Sequence, residues 1–140
     1  MTTSIDSNII VALWWESHSA NRIAARMLDQ AQNRGNLIIS APVYAELIAD
    51  PKRSETELDE FALDTGIAID WKIDEDIWRE AGRAYRSYSR RRFRSGGSPP
   101  RRILADFIIG AHALKRGYTL LTLNKGDFAT AFPGLTIVSN

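Results

Sequence analysis

The sequence predicts a three-layer α/β/α fold built on a mainly parallel central sheet. Short β-branched runs alternate with stretches of helical periodicity from end to end, and strands separated by helices pair in parallel and are covered on both faces. Glycines punctuate the pattern at Gly35, Gly66 and Gly117, where the helical periodicity stops. Helix ends favour the residue that turns left-handed without strain. At 140 residues the chain reads as one domain, 1–140, long enough to bury roughly two thirds of its unfolded surface.

The elements follow in order. A strand near residues 4–5 leads into a helix over 7–15, with Asp6 or Ser7 as its cap. A second helix, 19–34, precedes a strand over 37–40. Pro42 suits the first turn of a third helix, 42–50, because a helix start leaves its N–H groups unbonded anyway. A fourth helix, 54–65, runs into a strand over 67–70. The longest helix spans 74–94, with Asp74 as cap and Glu75 and Asp76 favourable at the positive end of the helix dipole. One more helix, 102–116, is followed by strands over 120–123 and 136–139. Between the last two helices, Arg94-Ser95-Gly96-Gly97-Ser98-Pro99-Pro100-Arg101 reads as a mobile basic loop.

Composition excludes several classes. There is no cysteine, hence no disulfide and no thiolate zinc or iron–sulfur site. No Gly-x-x-x-x-Gly-Lys-Ser/Thr loop and no Gly-x-Ser-x-Gly elbow occurs. The first residues lack a basic region followed by an apolar run and a cleavage site, so no signal peptide is expected, and no apolar stretch approaches the ~18 residues of a bilayer span; a cytoplasmic protein without membrane contact is expected. The net charge of +1 hides an asymmetry: residues 79–102 hold 9 Arg against the single Glu80, while residues 1–78 hold 6 Lys/Arg against 14 Asp/Glu. A planar guanidinium suits phosphate better than an ammonium does.

Four carboxylates stand inside or beside apolar segments: Asp6, Glu46, Asp106 and Asp127. Apolar stretches normally exclude such groups, because burying an unpaired charge is costly. Each has a bland reading. Asp6 caps a helix, Asp127 lies in a turn or caps a short last helix, and Glu46 and Asp106, inside helices where caps do not apply, form buried ion pairs. Read jointly, they form a cluster. Two carboxylates about 5 Å apart repel by roughly 3 kcal/mol at an effective dielectric near 20, and a hard divalent cation offsets that most simply. Oxygen-only ligands suit Mg²⁺ or Mn²⁺, and such an ion on a phosphodiester activates water and neutralises developing charge.

These residues lie in motifs that resemble PIN-domain ribonucleases, in particular the VapC-type toxins of bacterial and archaeal toxin–antitoxin pairs. The matching pieces are Ile5-Asp6-Ser7-Asn8, Ala41-Pro42-Val43-Tyr44-Ala45-Glu46-Leu47, Pro100-Arg101-Arg102-Ile103-Leu104-Ala105-Asp106-Phe107-Ile108-Ile109-Gly110-Ala111-His112-Ala113 and Leu121-Thr122-Leu123-Asn124-Lys125-Gly126-Asp127-Phe128. The resemblance covers nearly the whole chain in order. It implies a Mg²⁺- or Mn²⁺-dependent endoribonuclease in which Asp6, Glu46 and Asp106 hold the metal and Asp127 supplies a fourth acidic group, directly or through water. Thr122 and Asn124 would position water or phosphate. Many relatives carry aspartate where this chain has Asn124. The resemblance further implies a homodimer, silenced by a cognate VapB-type antitoxin whose tail covers the active site.

Arg79, Arg83, Arg86 and Arg90 share one helical face, interleaved with Tyr85 and Tyr88 and followed by Phe93. Such a stripe either tracks an RNA backbone with aromatics stacked on bases, or is a solvated or internally paired face. Arg90, Arg91, Arg92, Arg94, Arg101 and Arg102 are the candidates for binding RNA or antitoxin. His112 lies about 120° around the helix from Asp106 and is not expected at the metal. The tryptophans are expected to be mostly core, with Trp14 or Trp15 reaching a partner surface. Two rivals remain: a non-catalytic RNA-binding module and a protein-binding module on the same fold.

Overall fold

The computed structural model describes residues 1–94, 96 and 103–140. The basic loop, Arg101 and Arg102 thus lie almost wholly outside the described residues. Among those described, the elements run β1 (Thr2–Ile5), α1 (Ser7–Trp14), α2 (Asn21–Arg34), β2 (Asn36–Ser40), α3 (Ala41–Ile48), α4 (Glu55–Thr65), β3 (Ile67–Asp70), α5 (Glu75–Arg94), α6 (Leu104–Arg116), β4 (Thr119–Leu121), α7 (Lys125–Ala131) and β5 (Ile137–Val138). The five strands form one sheet in the order β3-β2-β1-β4-β5, parallel throughout. Helices cover both faces, which makes the three-layer α/β/α arrangement that the alternating pattern predicts.

Local chemistry accounts for most boundaries. Asp6 caps α1, its carboxylate accepting from the Ser7 N–H at 2.8 Å. Ser54 and Glu57 form a reciprocal capping box at the start of α4, and Pro42 sits in the first turn of α3. Gly66 and Gly117 end α4 and α6 with φ of 70° and 72°, where a Cβ would be strained. Two details differ from the sequence reading. The short last helix, α7, begins at Lys125 and so holds Asp127 inside its first turn and not as its cap, and the Asp74 carboxylate faces Arg116 Nη1 at 2.9 Å across the fold.

Ile5, Ile39, Leu120 and Leu121 from the strands are fully buried against Ile9, Leu47, Phe107 and Ile109 from the helices. Burying each such side chain is worth about 1.5–3 kcal/mol. Phe107 of α6 lies under Tyr85 of α5, the rings stacked with centroids 4.5 Å apart, and Tyr88 packs on it at 5.5 Å. That pairing locks the two long helices together, and it assigns Tyr85 to packing where the sequence pattern offered it for base stacking. Gly110 of α6 lets the Phe132 ring lie directly against the helix backbone, since any Cβ there would collide with it.

The tryptophans correct the sequence reading. Trp14 is partly buried, edge-on to Phe61 and beneath the Arg53 guanidinium. Trp15, Trp71 and Trp78 are 59%, 61% and 49% exposed, so three of the four are surface residues.

Candidate active site

The strand order reverses at β1, with β2 and β3 on one side and β4 and β5 on the other. Open α/β sheets bind ligands in the crevice at the carboxyl ends of strands beside such a reversal. Ile5 is in register with Leu121, so the residues that follow, Asp6 and Thr122, emerge side by side. Both oxygens of Asp6 are held: Ser7 N–H donates to Oδ1 at 2.8 Å, and the Thr122 hydroxyl donates to Oδ2 at 2.7 Å. Having given its one proton to Asp6, Thr122 Oγ1 accepts from Asn8 Nδ2 at 3.3 Å and from the Asn124 N–H at 3.1 Å. Asn8 Oδ1 also takes the Leu123 N–H at 3.2 Å. The buried Asp6 carboxylate is thereby fixed in one orientation.

Glu46 arrives from α3, which begins where β2 ends. Its Oε1 accepts from the Ser7 hydroxyl at 3.0 Å. Burial raises the Glu46 pKa; the Ser7 hydrogen bond lowers it, and the charges of Asp6 and Asp106 raise it further. Asp6 and Asp106 are thus near enough for their charges to act on Glu46, although the three come from segments 40 and 60 residues apart in sequence. Asp106 stands in the first turn of α6, its Oδ2 accepting from the Ile103 N–H at 3.3 Å. This corrects the sequence reading, which placed it inside a helix beyond the reach of capping. The helix begins at Leu104, and Asp106 satisfies one of the N–H groups its start leaves open.

Asp127 lies in the first turn of α7 and is exposed, as is Asn124 just before it. Asp6, Asp106, Asp127 and Asn124 line a cavity of ≈ 450 Å³ together with Phe128 and with Tyr88 and Arg92 of α5. Glu46 meets the same locality from beside it, through Ser7 and its electrostatic neighbours. The acidic donors are all oxygen, and Glu46, its pKa raised first by burial and then by the charges of Asp6 and Asp106, adds a fourth carboxylate nearby, so the chemistry of the set fits a hard divalent cation. Among the described residues no three His, Asp or Glu side chains are grouped at ligating separations.

Of the basic candidates, Arg92 lines this cavity, while Arg90 and Arg94 line a different groove with Arg86, Ser89 and Phe93. Arg91 is exposed beside them. The stripe is also divided along its length: Arg79 pairs with Glu75 at 2.7 Å and Arg83 with Glu80 at 3.5 Å. His112 is fully buried, with Nε2 2.8 Å from Asp70 Oδ2, away from the cavity. Sequence reasoning placed Ser7 and Asn8 in a matching motif, and Ser7 as a possible cap, but missed that they orient Glu46 and Thr122. The available signal was two polar residues directly after the strand-end acid, in a helix otherwise apolar.

A PIN domain matches residues 4–131, and the chain belongs to the PIN-domain family. No curated protein matches it in sequence. Among solved structures it is similar in fold to VapBC-1 from nontypeable Haemophilus influenzae, at 22% identity and a TM-score of 0.68, over 99% of this chain and 98% of that one. It is also similar to VapBC2 from Rickettsia felis bound to a DNA fragment from their promoter, at 22% identity and a TM-score of 0.63, with the same coverage of both chains. A toxin–antitoxin complex from Klebsiella pneumoniae matches at 26% identity and a TM-score of 0.64, covering 98% of this chain and 96% of that one.

Proposed function

We propose that this chain is a Mg²⁺- or Mn²⁺-dependent endoribonuclease, the VapC-type toxin of a toxin–antitoxin pair that inhibits translation. The observation that carries the reading is one cavity lined by Asp6, Asp106 and Asp127 where the strand order reverses, with Glu46 near enough to feel the charges of Asp6 and Asp106. In this reading Asp6, Glu46 and Asp106 hold the ion, and Asp127 assists directly or through water. A bound ion would lower the pKa of a water and neutralise charge on the phosphodiester. The chain's own part is orientation. Thr122 and the Ser7 N–H fix Asp6, the Ser7 hydroxyl fixes Glu46, and the Ile103 N–H fixes Asp106. Asn124 stands at the cavity wall with an amide able to hold water or a phosphate oxygen, and Arg92, on the same wall, would meet the RNA phosphate. The whole chain acts as one PIN unit in the cytoplasm, as a homodimer bound by a VapB-type antitoxin. The VapBC structures it resembles in fold support that partnership.

The test is cleavage of a structured RNA pool with Mg²⁺, Mn²⁺ or EDTA, beside an identically prepared Asp106→Asn protein. Metal-dependent cutting that disappears in the variant is the expected result. Cutting that persists in EDTA, or survives in the variant, would refute the assignment. Arg92 beside the carboxylates favours one rival, a binding module whose acids are ion-pair partners. That rival predicts that Asp106→Ala loosens the fold by about 3–5 kcal/mol.

A further inference from the structure

We propose that the outer face of the last turns of α5 binds the single-stranded RNA flanking the cleavage point, an inference that rests on the ribonuclease reading above. Arg86, Arg90 and Arg94 recur every four residues, are exposed, and line one groove with Ser89 and Phe93. The N-terminal half of the same arginine stripe is already answered by Glu75 and Glu80. Among the described residues no carboxylate answers Arg86, Arg90 or Arg94. Positive charge therefore accumulates only at the C-terminal end of the helix.

Phe93 decides which polyanion fits. It is 80% exposed and shares the groove with Arg86, Arg90 and Arg94, an apolar ring left in water with no internal packing to gain from it. A flexible single strand offers phosphates to the arginines and an unstacked base to the ring. An acidic peptide offers carboxylates but no base, and a duplex keeps its bases stacked inside. The location points the same way. Tyr88 and Arg92 line the carboxylate cavity, and residues two apart on a helix point about 160° from one another. The cavity and the groove are therefore the two sides of one helix about 10–12 Å thick, and a strand leaving the first passes around α5 to the second.

Anisotropy of a labelled single-stranded RNA, measured in EDTA from 50 to 200 mM salt, tests this on the full chain. The double variant Arg86→Ala/Arg90→Ala should bind more weakly and lose about 1.4 from the log–log salt slope, at ~0.7 per phosphate contact on a single strand. Phe93→Ala should weaken binding roughly 5- to 100-fold with the slope intact, the signature of lost stacking. All three residues are exposed, so melting temperatures should stay level. With Mn²⁺ added, the loss should fall on KM. An unaltered slope and affinity in the arginine variant overturns the groove, whether or not the protein cuts. Weakening by the arginines with none from Phe93 also overturns it, since any polyanion would then serve. Failure to cut under any metal, with both binding effects present, removes the nuclease reading and leaves the groove an RNA site.

Discussion

Glu46 and Asp70 are both partly buried carboxylates near the carboxyl edge of the sheet, and their proton affinities move in opposite directions. For both, burial alone pushes the pKa up. At Glu46 the Ser7 hydrogen bond pulls the other way, but Asp6 and Asp106 add to the rise. At Asp70 the hydrogen bonds from His112 and the Lys72 N–H, with the charges of His112 and Arg116, overcome burial and hold the carboxyl below its ordinary range. Arg116 also reaches Asp74 at 2.9 Å, which ties α6 to the segment leading into α5. One acid is surrounded by its own kind and the other by cations. A fold gains from the second arrangement and not from the first, which is why the first supports the proposed site and the second a brace.

The largest expected effect separates the two in activity. Glu46→Gln should reduce metal-dependent RNA cleavage on the order of 10²–10³-fold or more, the scale for removing a group that acts on the transition state. Asp70→Asn should keep cleavage, assayed at a temperature where the variant is folded. Equal losses in the two variants would break the distinction.

Sequence made one side of this comparison legible and hid the other. Asp6, Glu46 and Asp106 stand out because each interrupts an apolar segment, a signal that needs no partner to be seen. Asp70 ends a strand and is followed by Trp71 and Lys72, where an acid is unremarked. Its partner His112 lies 42 residues on, and only the packing of α6 on the sheet joins them. The strands and long helices were readable from periodicity, whereas α7, seven residues containing a glycine, carries too little of it. A helical wheel groups the α5 side chains by angle but does not say which angle meets Phe107. That is why Tyr85 turned inward and the arginines divided between cavity and groove. The exposed Trp71 rests edge-on against Tyr44 at 4.7 Å, a surface contact that residue type alone assigns to the core.

Stability gives the next effect. Asp70→Asn removes a charged partner from a fully buried imidazole, and hydrogen bonds to charged groups are worth about 1.5–3 kcal/mol. Chemical denaturation at neutral pH should show a loss of that size with the denaturant slope unchanged. A change under about 0.5 kcal/mol would mean that the His112–Asp70 contact braces nothing. The pH dependence sharpens the point. Because folding lowers the Asp70 pKa, its contribution is present above the unfolded value, near 4, and disappears as pH falls through the folded one. The gap between wild type and Asp70→Asn should therefore close on the acid side of about pH 4. A gap that persisted to pH 2 would assign the loss to packing.

The smallest effect carries the opposite sign. Folding raises the Glu46 pKa, so ionised Glu46 works against the fold. Its contribution is most favourable below the unfolded pKa and is lost as pH rises through the folded one. In EDTA at neutral pH, Glu46→Gln should leave the protein as stable as wild type or more so. Partial exposure and the lost Ser7 bond limit the gain to about 1 kcal/mol, or roughly 2–4 °C in Tm for a domain of this size. Saturating Mn²⁺ should reverse the order, since binding to the folded state stabilises wild type by mass action and the variant less. If Glu46→Gln instead melts as early as Asp70→Asn with and without metal, Glu46 is a second brace, and the two carboxylates differ in position alone.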